Sequence, residues 1–166
     1  KILLPLILIY VFVLPLVLRF FPLQKIYFGY KFSISEIIYI WVSGAATMLL
    51  VVNVLLKNMW GRARPNDVSY FNGFQDFTPW YKISDACSSN CSFVSGDSSV
   101  GFLLIVFYFI TKKNAYLYLG LILGSLLGFI RIAAGGHFFS DIIFSQIIVT
   151  VTILTSFVLY KKLYDK

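Results

Sequence analysis

Apolar residues run through this chain in long uninterrupted stretches, and polar residues gather between them. Ile2–Leu18, Ile37–Leu56, Ser98–Thr111, Asn114–Ile130 and Ile142–Tyr160 contain no charged residue. A helix needs about 20 predominantly apolar residues to cross the hydrocarbon core of a bilayer. Four of the runs come close to that with their flanking residues. The third is short and must draw on the loop before it. The pattern predicts an all-α bundle of five transmembrane helices, one domain over residues 1–166. Ser33-Ile34-Ser35-Glu36 has the spacing of a capping box and is expected to open the second helix.

Composition agrees with the pattern. The chain is 59% hydrophobic and 13% charged, where a soluble domain carries about a quarter charged residues. The first run has a basic start but no small-residue cleavage site after it, so it reads as a membrane helix and not as a signal peptide. Arg19-Phe20-Phe21-Pro22 reads as its end. The formal net charge is +7. A basic chain invites a nucleic-acid reading, but the placement of the charges argues against it. Arg19, Lys25 and Lys31 lie in the first connection, Lys112 and Lys113 in the third, and Lys161, Lys162 and Lys166 in the tail. Alternating helices put those three segments on one side, which the positive-inside tendency makes cytoplasmic. The connections Lys57–Asp97 and Arg131–Asp141 then face outward.

Lys57–Asp97 is the one long polar connection. Its Trp60, Phe71, Phe74, Phe77, Trp80 and Tyr81 suit an interfacial belt, or alternatively a lid that admits a lipid. Both cysteines, Cys87 and Cys91, lie there. On an outward face they can form a disulfide or remain thiols. A structural zinc site wants four ligands, and the chain has one histidine and two cysteines.

The candidate chemistry sits in three stretches at predicted helix ends: "KNMWGRARP" from Lys57, "VSGDSS" from Val94 and "RIAAGGHFFSD" from Arg131. Ionisable groups there are costly unless paired or in a water-filled cavity. If a helix begins near Gly136, His137 and Asp141 share a face. The carboxylate can then accept a hydrogen bond from one ring nitrogen and leave the other as a nucleophile. Lys57, Arg64 and Arg131 supply fixed positive charge, and arginine suits phosphate oxygens. Ser95 and Gly96 open a helix whose free N–H groups face any anion. Together these groups describe a phosphoryl-transfer site. Taken singly, each has a plainer reading. A lone His near a membrane surface is commonly structural, Lys57 can snorkel, and Ser95-Gly96 can be an ordinary turn. Arg62 is expected only to snorkel or to bind lipid phosphate.

The joint pattern resembles the type 2 phosphatidic acid phosphatase superfamily, which shares its site with vanadium haloperoxidases. The family pattern is K-x6-RP, PSGH, then SR-x5-H-x3-D. Lys57, Arg64 and Pro65 match the first motif, Ser95 and Gly96 the middle of the second, and Arg131, His137 and Asp141 the third. The resemblance implies six core helices, so one N-terminal helix is expected to be missing from the five counted here. It also implies a reaction without metal or cofactor, in which His137 becomes a phosphohistidine and Asp141 orients it. Lys57, Arg64 and Arg131 would hold the phosphate with the Ser95–Gly96 region. Val94, Ile130 and Asp97 depart from the pattern. Asp97 replaces the histidine that protonates the leaving oxygen, so it is expected to donate a proton from a raised-pKa state or to orient substrate or water. An inactive homologue is the other reading. The wording "NCSFVSGDSS" and "GGHFFSD" is similar to the lipid A phosphatases, especially the 4′ branch.

The resemblance thus implies a multi-pass protein of a bacterial inner membrane with a periplasmic active site. Its partners would be the bilayer and a lipid phosphate, with no nucleic acid and no obligate protein partner. Undecaprenyl pyrophosphate and phosphatidylglycerophosphate are alternative substrates. A silent headgroup-binding protein and a transporter are the readings from other classes. The site's position at helix ends, away from mid-membrane, and the lack of internal repeats weigh against transport.

Overall fold

A computed structural model describes residues 3–20 and 30–164. Phe21, Pro22, Lys25 and Lys166, invoked above, lie outside the described residues. The described chain forms helices α1 (Leu3–Phe12), α2 (Leu14–Phe20), α3 (Ile34–Asn58), α4 (Gly96–Thr111), α5 (Asn114–Ala133) and α6 (Phe139–Tyr164).

Over the described residues the five apolar runs build the helices, but they do not make five equal spans. α3, α5 and α6 are each long and apolar enough to cross a membrane. The first run is bent by 41° between α1 and α2. Pro15 lies just past the bend, and a proline there cannot donate to the carbonyl four residues back. α4 takes only Gly96 and Asp97 from the preceding connection. It starts at Gly96, and at about 1.5 Å per residue it reaches only about 24 Å. Its length matters little, because it is wrapped by protein. Phe102, Leu103 and Val106 are fully buried, with α1, α3, α5 and α6 packed around the helix.

Close packing of α4 on α5 rests on two glycines. A Cβ on Gly101 would lie 2.5 Å from the Gly124 Cα, so no other residue fits there. The approach also lets Ser98 Oγ donate to the Gly124 carbonyl at 2.7 Å. Small residues and interhelical hydrogen bonds are what hold helices together where burial from water contributes little.

α3 opens on the capping box expected for it. Glu36 N–H donates to Ser33 Oγ at 3.2 Å, and Ser33 N–H donates to Glu36 Oε2 at 2.7 Å. From Ala46 to Asn58 the helix winds with π geometry. The end of α3, the start of α4, the end of α5 and the start of α6 meet at one end of the bundle. Lys112 and Lys161 lie at the other end, 4.6 and 5.8 Å from the Phe157 ring.

Candidate active site

His137 does not lie on a helix, as α6 begins only at Phe139. It sits in the turn between α5 and α6, so the shared helix face expected for His137 and Asp141 does not exist. Gly135 makes the turn with φ +65, a left-handed conformation that glycine adopts without strain. Asn66, the residue after the first motif, staples it: its N–H donates to the Gly135 carbonyl and its Nδ2 to the Ala134 carbonyl, both at 3.1 Å.

The ring of His137 is 2% exposed, and its Nδ1 lies 2.7 Å from the Ser92 carbonyl. A carbonyl can only accept, so Nδ1 carries the proton and the neutral ring keeps its lone pair on Nε2. Asp141 was expected to do this orienting. Its Oδ2 is 3.7 Å from Nδ1, too far for a hydrogen bond. The carboxylate is instead filled by other donors: Arg62 NH1 at 2.6 Å, Ser92 Oγ at 2.6 Å and Phe138 N–H at 2.9 Å. It remains close enough to favour positive charge on the ring.

Arg62 therefore neither snorkels nor meets solvent. It is 2% exposed and donates also to Ser140 Oγ and the Thr78 carbonyl. Its guanidinium lies 4.1 Å from the Phe138 ring centroid and 5.6 Å from that of Phe77. Burial pulls its pKa down, and the contact with Asp141 opposes that.

The three expected phosphate-site cations come together beside this core. Lys57, in the last turn of α3, is buried and donates to Asn90 Oδ1 at 2.9 Å. It does not snorkel outward. A side chain on Gly96 would meet the Lys57 ammonium at 3.3 Å, so glycine lets the lysine lie over the start of α4. Arg64 donates through Nε and NH2 to the Asn90 carbonyl at 3.2 and 2.7 Å. Burial and then the neighbouring Arg131 pull its pKa down. Arg131 Nε is 3.2 Å from Asp97 Oδ2, an ion pair by distance without an aligned hydrogen bond. Ser95 caps α4, its Oγ accepting from Ser98 N–H at 3.4 Å, and its carbonyl accepts from Ser99 and Ser145 hydroxyls.

A cavity of about 480 Å³ opens beside His137, walled by Pro65, Asn66, Phe71, Gly135 and Phe139. The aromatics of the Lys57–Asp97 connection divide between two settings. Trp60 stacks on Phe93 at 4.9 Å and Trp80 lies tilted against Phe144 at 4.3 Å, while Phe74 and Tyr81 stay exposed. Cys87 and Cys91 are joined as a disulfide. Among the described residues, no three His, Cys, Asp or Glu side chains gather as metal ligands would.

A family model described as the PAP2 superfamily matches residues 37–165, which include every side chain of this site. The chain belongs to the PAP2 superfamily. No solved structure matches it. Among curated relatives it is 42% identical over 121 residues to a lipid A 4′-phosphatase of Francisella tularensis subsp. novicida (strain U112), covering 70% of this chain and 53% of that protein. It is 36% identical over 98 residues to a lipid A 4′-phosphatase of Rhizobium leguminosarum, covering 57% of this chain and 42% of that protein. The chain spans about half the length of the curated relatives it matches.

Within this PAP2 chain, three polar residues that the sequence motifs did not place in the site complete it. Ser92 supplies the carbonyl for His137 and a hydroxyl for Asp141. Arg62 neutralises Asp141. Asn90 faces both Lys57 and Arg64. Their partners lie 26 to 79 positions away in sequence, so no local spacing announces them.

Proposed function

We propose that this chain is a metal-independent phosphomonoesterase that removes the 4′-phosphate of lipid A at the outer face of a bacterial inner membrane. The observation that carries the chemistry is the Nδ1–Ser92 contact, which leaves the lone pair of His137 on Nε2. The names of the relatives and the similarity to them support the substrate. Lys112 and Lys161 at the opposite end of the bundle support an outward site through the positive-inside tendency.

In the first step Nε2 attacks phosphorus and the phosphorus–oxygen bond to the lipid breaks. The leaving oxygen takes a proton from water. Lys57, Arg64 and Arg131 stabilise charge on the equatorial oxygens, and Asp141 stabilises the positive ring that forms. In the second step water attacks phosphorus and passes a proton to the hydroxide left by the first step, the phosphorus–nitrogen bond breaks, and Nε2 recovers its electron pair. Asp97, 3.2 Å from Arg131, orients that water and the arginine. Inorganic phosphate leaves.

The test is phosphate release by the purified protein in detergent with a metal chelator present. Lipid A, undecaprenyl pyrophosphate and phosphatidylglycerophosphate are compared. Chelator-resistant release from lipid A, absent in His137→Ala, is expected. Release from another lipid instead would move the substrate. Release from none, by folded protein, would favour a silent headgroup-binding protein.

A further inference from the structure

We propose that Asn90, fixed by the Cys87–Cys91 disulfide, is the positioning residue that aims Lys57 and Arg64 at phosphate. The inference rests on the phosphate-site reading above and deepens it. One residue supplies an acceptor to each cation: its side-chain oxygen to Lys57 at 2.9 Å, and its main-chain oxygen to Arg64 at 2.7 and 3.2 Å. An ammonium has three donors and a guanidinium five. Asn90 therefore occupies one face of each group and leaves the remaining N–H donors for phosphate oxygens. Without it, two long side chains of like charge would repel and spread over many rotamers.

The main-chain half of this device needs a particular loop shape. Asn90 has φ 50, in the left-handed region that asparagine tolerates better than most residues. It lies inside the covalent ring closed by Cys87 and Cys91, four positions apart. Cys91 is fully buried, and its N–H donates to the Lys57 carbonyl at 3.4 Å. Ser92 follows directly, with its contacts to His137 and Asp141. The disulfide ring thus meets the phosphate cations through Asn90, while the next residue holds the nucleophile.

The two halves can be separated. Asn90→Gly keeps the left-handed backbone and the carbonyl but deletes the acceptor for Lys57. Asn90→Asp keeps the shape and places a carboxylate against Lys57, where it competes with phosphate. Cys87→Ser with Cys91→Ser frees the loop and so loosens the Arg64 contact.

The experiment is calorimetric titration of inorganic phosphate into the full chain in detergent, with melting temperature as the check on folding. Asn90→Gly is expected to weaken phosphate binding about tenfold at an unchanged melting temperature, the scale of one hydrogen bond to a charged group. Asn90→Asp should weaken it further. The double serine variant should lose affinity in the same direction. Should that variant fail to fold, Asn90→Gly still decides. Unchanged phosphate affinity in Asn90→Gly would overturn the proposal, as would a starting protein that binds no phosphate. If phosphate binds and responds to Asn90→Gly while no lipid is hydrolysed, Asn90 keeps its role and the lipid phosphatase reading falls.

Discussion

The site holds two arginine–aspartate pairs that are alike in chemistry and opposite in surroundings. Arg62 and Asp141 meet at 2.6 Å with side chains 2% and 0% exposed. Arg131 and Asp97 meet at 3.2 Å with side chains 32% and 34% exposed. In the dry pair every partner is a protein group, and both ions are committed to holding the turn that carries His137. In the wet pair solvent screens the attraction, and the arginine can exchange its carboxylate for a phosphate. Burial, more than residue type, separates the charge that builds the site from the charge that serves it.

Breaking each pair should give opposite readouts. Arg62→Met leaves the Asp141 carboxylate buried without its cation, which costs about 3–5 kcal/mol. A steep loss of melting temperature is expected, and a variant as stable as the parent would remove the structural role. Arg131→Met should change stability by no more than about 1 kcal/mol. It should still lower phosphate release by roughly 10²–10³-fold, the scale of one lost transition-state donor. Full activity in that variant would exclude Arg131 from the phosphate site.

Smaller changes sharpen the contrast. Ser92→Ala removes the hydroxyl that donates to Asp141 at 2.6 Å but keeps the carbonyl that sets His137. A loss of about 1–3 kcal/mol is expected for the buried acceptor, with His137 chemistry intact in whatever folds. A loss of turnover without a loss of stability would reverse that assignment. Asp97→Asn should be the mildest, within about 1 kcal/mol in melting. Release at neutral pH should persist at a reduced rate, because water protonates the leaving oxygen. Complete loss of activity in a folded Asp97→Asn protein would return Asp97 to the role of proton donor.

What the sequence revealed follows the same division between local and distant contacts. The Ser33–Glu36 cap was legible because both halves lie within one helical turn. Lys57, Arg64, Arg131, His137 and Asp141 were legible as a family spacing, and the structure gathers them at one end of the bundle. Arg62 was not legible. Two positions from Arg64 it looks like a second surface cation, and its partner lies 79 positions away. The His137–Asp141 spacing suggested a helix face, but Gly135 turns the chain and delays α6 until Phe139. The orienting carbonyl then comes from Ser92, a main-chain atom that residue type cannot signal. Likewise the short third run gave no hint that α4 is enclosed by protein on all sides, which depends on Gly101 meeting Gly124.

The most direct test of the central claim is to trap the intermediate. Lipid A carrying a radiolabelled 4′-phosphate would be mixed with the protein in chelator, quenched in alkali within the first turnover, and the protein separated. Label bound to the parent protein, stable in alkali, released by acid and absent in His137→Ala, is the expected result. Rapid phosphate release with no labelled protein at any quench time, or label persisting in His137→Ala, would contradict attack by His137.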